Sequence, residues 1–125
     1  MDFLALCMPL TDETKGIICT ETIGMMKKSA VLVNVSRGLA VKTDDILGAM
    51  QAGRLAGVGL DVTDPEPLPD DHPLRTIPNV LISPHHASRT LETDAAALAR
   101  LSENVRSVLA GKKPANLVNA EVLAR

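Results

Sequence analysis

The stretch AVLVNVSRGLAV, Ala30 to Val41, decides the fold. Its first six residues are five apolar side chains, three of them valine, around a single asparagine, the composition of a buried β-strand. The run then stops on Ser36-Arg37-Gly38, which places a fork-shaped cation and a residue without a Cβ where a core strand ends. Working outward, short β-rich runs alternate with helical patterns. Asp2–Pro9 reads as a short buried strand halted by Pro9, and a short helix is predicted from Thr20 to about Met26, because Ile23 and Met26 lie on one face. VKTDDILGAMQAGRL predicts a helix with Thr43 as N-cap, Asp44 and Asp45 in the positively polarised first turn and Gly53 at its end.

AGVGLDV is a third strand, whose small residues predict close packing against a neighbour. Five prolines between Thr63 and Asn79 forbid helix or central strand and predict a rigid exposed loop. NVLIS supplies a fourth strand, cut by Pro84. From about Thr90 to Ala110 the residues Leu91, Ala95, Leu98, Leu101, Val105 and Val108 step by three or four, which marks a long amphipathic helix ended by Gly111 and Pro114. Such alternation predicts an α/β protein of parallel β-α units, whose functional residues gather beyond the carboxyl ends of the strands. Cys7-Met8-Pro9, Ser36-Arg37-Gly38, Asp61 with Glu66 beyond it, and His85-His86 all fall at such ends.

Composition narrows the partners. A chain of 125 residues is one domain's worth. A formal charge of −2 with scattered basic residues gives no footprint for nucleic acid or anionic lipid. Phe3 is the lone aromatic residue, which removes stacking on bases or sugars. No run is long enough for a membrane span and no signal-peptide pattern opens the chain, so a cytoplasmic protein is expected. Cys7 and Cys19 read as reduced, packing thiols, and no metal-ligand pattern is visible.

Taken alone, Arg37 reads as a surface arginine and Glu66 as a solvated loop acid. The functional alternatives are an anion clamp, since guanidinium matches a carboxylate bidentately, and a carboxylate stiffened by Pro65 and Pro67 that orients a histidine ring. Gly38 would let the chain turn sharply and leave room beside the fork. His85, directly after Pro84, is an acid/base candidate; His72 reads as surface. Asp61 either caps the following loop or accepts a hydrogen bond from a ligand amide. Gly57 and Gly59 lead into a strand rather than out of one, so they are no dinucleotide fingerprint, and none occurs elsewhere in the chain.

In order and spacing, PLTDETKGII, MMKKSAVLVNVSRGLAVKTDDILGAMQAGRLAGVGLDV, DPEPLPDDHPL and PNVLISPHHA resemble the latter part of the NAD-binding domain of the D-isomer-specific 2-hydroxyacid dehydrogenases, from about Asp2 to Asn119. The resemblance implies a partial doubly wound, Rossmann-like sheet with flanking helices. It implies that Arg37 binds substrate carboxylate and keto oxygen, that His85 is the general acid/base and Glu66 its partner. It further implies that Asp61 lies near the nicotinamide, and that Met8, Pro9, Val35 and Ser36, with Arg37 and His85, line the cofactor. NAD is the implied cofactor, with NADP open, the substrate a small 2-keto or 2-hydroxy acid, and the full-length form a homodimer. His86 stands where the family usually has an apolar residue, and Cys7 where many relatives have histidine.

The chemistry suits the residue types: a 2-keto acid needs a proton at its oxygen and a cation at its carboxylate. The family's Gly-rich phosphate loop and substrate-binding domain have no counterpart here, so the expectation is the C-terminal part of a dinucleotide-binding domain, 1–125, inactive alone. Two alternatives stand beside it: a truncated, catalytically silent binding or dimerising module, and a redox-sensing relative acting through protein association. A sheet lacking its first strands should expose an edge and apolar faces.

Overall fold

The computed structural model describes residues 2–121, in two compact units that divide after Ala87. In the first unit the strands β1 (Phe3–Leu6), β2 (Val31–Asn34), β3 (Gly57–Leu60) and β4 (Val80–Ile82) are all parallel and stand side by side in chain order. The helices α1 (Thr20–Gly24) and α2 (Thr43–Gln51) cross over between them. Sequential parallel order with right-handed crossovers puts these helices on one face of the sheet. Register agrees: Leu4, Leu32, Val58 and Val80 form one row and Leu6, Asn34, Leu60 and Ile82 the next. Apart from the polar Asn34, those rows join Ile23 of α1 and Ile46 and Met50 of α2 in one apolar core.

The other face carries Phe3, Val31 and Gly57 in one row and Ala5, Val33, Gly59 and Leu81 in the next, with Phe3 76 % and Leu81 73 % exposed. The expected short buried strand at Asp2–Pro9 is therefore an edge strand, of which Leu6 alone is buried. Nor does Gly59 mark a close approach: a Cβ there would meet Val33 at 3.7 Å, an ordinary contact, whereas one on Gly57 would lie 3.4 Å from the Asn79 carbonyl oxygen.

Helix α2 starts one residue away from its expected cap. Lys42 is the N-cap, and Thr43, inside the first turn, gives its hydroxyl to the Asp64 carbonyl at 2.6 Å. Asp44 and Asp45 do occupy the first turn, and Gly53 takes the positive φ of 62° that lets the chain leave the helix. Helix α1 stops at Gly24, short of Met26. The proline-rich segment is exposed only in part. It contains a 3-10 turn, Pro73–Thr76, and sinks Leu68 and Leu74 into the core, so two leucines nail down a loop whose prolines suggested only stiffness. Beyond Ala87, the second unit holds α3 (Leu91–Leu109), capped by Thr90 and Ala110 and followed by Gly111 at φ 67°. Its stripe of Leu98, Leu101, Val105 and Val108 is exposed.

Gly38 is required for a reason other than a sharp turn. A Cβ there would stand 1.9 Å from the Thr63 carbonyl oxygen, because the backbone after β3 runs directly against it. Gly38→Ala should therefore cost about 3 kcal/mol or more in urea unfolding, since backbone rather than a flexible side chain must give way. Gly48→Ala, inside α2 with nothing within 4 Å, should instead raise stability by about 0.5–1 kcal/mol. Equal effects of the two changes would refute this account of Gly38.

Candidate active site

Because the four strands are parallel, their carboxyl ends share one edge. Met8 and Pro9 follow β1, Val35 to Gly38 follow β2, Asp61 follows β3, and Ser83 to His86 follow β4. At the end of β2 the fully buried Asn34 organises the turn. Its Oδ1 accepts from the Ser36 amide at 3.0 Å and the Ser36 hydroxyl at 2.8 Å, while its Nδ2 donates to the Arg37 carbonyl at 2.9 Å. This is a local Asx turn, made by the one polar residue of an apolar run. It sends Arg37 outward: the residue is exposed, its Nη1 donates to the Ser36 carbonyl at 2.7 Å, and no carboxylate among the described residues pairs with it.

At the end of β3, Asp61 is 5 % exposed. Its Oδ1 accepts from the Ser83 hydroxyl at 2.6 Å and the His86 amide at 2.8 Å, and its Oδ2 from the Ala87 amide at 2.9 Å. Burial alone would raise this carboxyl. The Ser83 hydroxyl, the Ala87 and His86 amides and nearby His85 outweigh it and hold the group below the ordinary aspartate value. Beside the two readings open to Asp61, capping the loop beyond β3 or meeting a ligand amide, the structure shows a further role: it laces the end of β4 to β3. The main chain repeats the tie, since the His85 amide donates to the Asp61 carbonyl at 2.9 Å.

Within that lacing His85 has φ 57°, the one positive φ at a residue other than glycine among those described. The left-handed backbone costs on the order of 1–2 kcal/mol and persists where the surroundings over-determine it. Here it turns the ring toward the proline-rich loop, and His85 Nδ1 lies 2.7 Å from Glu66 Oε1. Both side chains stay nearly half exposed, at 47 % and 41 %. They border a cleft of about 420 Å³ with Asp61, Ser83 and Arg75.

Of the residues singled out in the sequence, the structure brings three together: Asp61, Glu66 and His85 line one cleft. Arg37 does not line it. It stands two strands from His85, roughly 10 Å at the ~4.8 Å spacing of neighbouring strands. Val35 and Pro9 are exposed and Met8 half-buried on the same edge, whereas the Ser36 hydroxyl is spent on Asn34. Cys7 is exposed rather than packed, and Cys19 is half-buried. His72 caps the 3-10 turn, its Nδ1 accepting from the Leu74 amide at 3.2 Å, and the His86 side chain is exposed. No group of three His, Cys, Asp or Glu side chains among the described residues is placed to hold a metal. The reading from sequence passed over Asn34, Ser83 and Arg75. Asn34 had a signal, a lone amide two residues before the turn; Ser83 and Arg75 act across the fold, and local pattern does not reveal that.

Residues 1–87 match the family described as D-isomer specific 2-hydroxyacid dehydrogenase, NAD binding domain. A glyoxylate reductase of Aeropyrum pernix is 43 % identical over 122 residues, which is 98 % of this chain and 36 % of that protein. The D-isomer specific 2-hydroxyacid dehydrogenase of Lactobacillus delbrueckii ssp. bulgaricus, in its NAD-complexed form, superposes with a TM-score of 0.84 at 31 % identity, covering 94 % of this chain and 40 % of that one. A dehydrogenase of the same description from Xanthobacter autotrophicus Py2, in complex with NADPH and MES, gives a TM-score of 0.78 at 34 % identity, covering 93 % and 47 %. The chain spans less than two-fifths of the length of the curated relatives it matches.

The Asp61 lacing has a pH signature. A carboxyl lowered in the folded state stabilises the protein above its ordinary value of 3.8, and that contribution is lost as pH falls through the lowered one. Asp61→Asn should therefore flatten stability against pH in this acid window, and at pH 7 cost roughly 2–3 kcal/mol, because an amide cannot accept all three bonds. Urea melts of both proteins between pH 7 and pH 3 measure this. Parallel curves would show that Asp61 is not held as an anion.

Proposed function

The chain belongs to the D-isomer specific 2-hydroxyacid dehydrogenase family, and from that premise we propose that its 125 residues carry the acid/base and carboxylate-binding side of an oxidoreductase site for a small 2-keto or 2-hydroxy acid. The contact between His85 Nδ1 and Glu66 Oε1 at 2.7 Å carries the reading. A ring whose Nδ1 is engaged by a carboxylate presents Nε2 to whatever lies before it, in one tautomer and one orientation. In reduction, histidinium Nε2–H donates to the keto oxygen as that oxygen gains charge. In oxidation, neutral Nε2 accepts the hydroxyl proton, while Nδ1–H stays on Glu66 and steadies the cation that forms.

Arg37 binds the substrate carboxylate. Its fork is exposed and free of internal carboxylates among the described residues, and the roughly 10 Å across two strands leaves room between it and His85 for a molecule of a few carbons. The residue types along the edge suit the nicotinamide end of the cofactor: apolar Met8, Pro9 and Val35, with Ser36, Arg37, Asp61 and His85 beyond. Asp61 serves there through the backbone it organises, three donors from the end of β4 being held on its carboxylate. The bound dinucleotide supplies or takes the hydride at the substrate C2. Its phosphates find no glycine-rich cradle in these residues, so phosphate binding and the choice between NAD and NADP form no part of the role proposed for them. The same gap favours a second reading for the chain alone, a truncated, catalytically silent fragment acting at most as a binding or dimerising module; the full-length form is read as a cytoplasmic homodimer.

Purified 125-residue protein should show no NADH or NADPH oxidation with a panel of 2-keto acids, whereas a protein joining these residues to a phosphate-binding half should turn over. In that protein His85→Gln should lower kcat about a hundredfold or more, the usual worth of general acid/base catalysis. Arg37→Lys should lower kcat/KM, because ammonium cannot reproduce the two-pronged contact. An unchanged kcat in His85→Gln would overturn the assignment.

A further inference from the structure

Glu66 lies in a segment without regular structure and keeps 41 % of its side chain exposed, yet it must meet His85 within hydrogen-bond distance. What fixes its backbone is a set of side-chain donors reaching four carbonyls around it. On one side Thr43 donates to the Asp64 carbonyl at 2.6 Å and Thr63 to the Pro65 carbonyl at 2.8 Å. On the other, Arg75 spans two: its Nη2 donates to the Leu68 carbonyl at 2.6 Å and its Nε to the Pro69 carbonyl at 2.9 Å.

A loop with prolines at 65, 67 and 69 has few amides with which to bond itself, so these carbonyls need donors from elsewhere. Arg75 meets that need with the rigid fork of a guanidinium, anchored in the 3-10 turn whose Leu74 is fully buried. Its contact with Asp70 is long, at 3.7 Å, and Asp70 is fully exposed, so the ion pair adds little. Arg75 also lines the cleft that Glu66 and His85 border, but its fork is turned to the loop.

We propose that Arg75 is the positioning residue of the Glu66–His85 pair: by clasping the Leu68 and Pro69 carbonyls it holds the loop in the place from which Glu66 reaches Nδ1. The proposal rests on the reading of that pair as the acid/base device, yet its test does not require turnover. The chain has three histidines, so ring nitrogen spectra of the 125-residue protein resolve His85 once His72→Gln and His86→Gln assign the others. At a pH where the ring is neutral, the wild-type protein should show His85 protonated at Nδ1. Glu66→Ala marks the released ring.

Arg75→Met, which keeps the stem and removes the donors, should lose the Nδ1–H signature to the level of Glu66→Ala. Arg75→Lys, with one donor site in place of a fork, should fall between. Arg54→Met removes a comparable single bond, from Nη2 to the Gly24 carbonyl at 3.0 Å, and should leave His85 unchanged. Retention of the full signature in Arg75→Met, or an equal loss in Arg54→Met, would overturn the proposal, as would a wild-type ring with no Nδ1–H preference. Should Arg75→Met not fold, the Lys variant decides: a wild-type signature there refutes the clasp. If the spectra behave as expected but His85→Gln leaves turnover intact in the longer enzyme, the clasp stands and the catalytic reading falls.

Discussion

The arrangement at the carboxyl edge depends on the buried carboxylate of Asp61. A buried anion without partners would be driven to its neutral form, and here three donors from one short segment remove that pressure: the Ser83 hydroxyl and the amides of His86 and Ala87. All three come from the five residues that carry His85. The desolvation of one charge is thus converted into a fixed path for the chain beyond β4, tight enough to keep His85 at φ 57°. The same carboxylate that stabilises the fold sets the direction of the ring.

Much of this was legible in the sequence, and the exceptions have a common cause. The parallel strands, the crossover helices and the gathering of Arg37, Asp61 and His85 at the strands' carboxyl edge follow from the alternation, because functional residues of β-α units collect at that edge. Distances and donors did not follow. Asp61 looked like a loop cap because its neighbours in sequence offer that role, while its real partners lie 22 to 26 residues away. Gly38 looked like a turn glycine, and its constraint is the Thr63 backbone, 25 residues on. The proline-rich loop read as exposed because proline dominates it, and the burial of Leu68 and Leu74 overrides that composition. Local pattern predicts elements; contacts between elements set the roles of single residues.

The Glu66–His85 contact shows what such a site needs in addition to geometry. With both side chains nearly half exposed, a contact of this kind is worth no more than about 1 kcal/mol to stability, too little to hold the loop in place by itself. The side-chain donors at four loop carbonyls add what the contact lacks, since a solvated carboxylate and imidazole held by nothing else would spend most of their time apart. On the acid/base reading proposed for the pair, its strength then depends on what covers the cleft. Coulomb attraction at a given separation rises about fourfold when the effective dielectric falls from that of water to about 20. Substrate and cofactor packed against the strand ends would make that change. The chain prepares for it with positions fixed through the main chain, leaving the strength of the pair to be set when water is excluded.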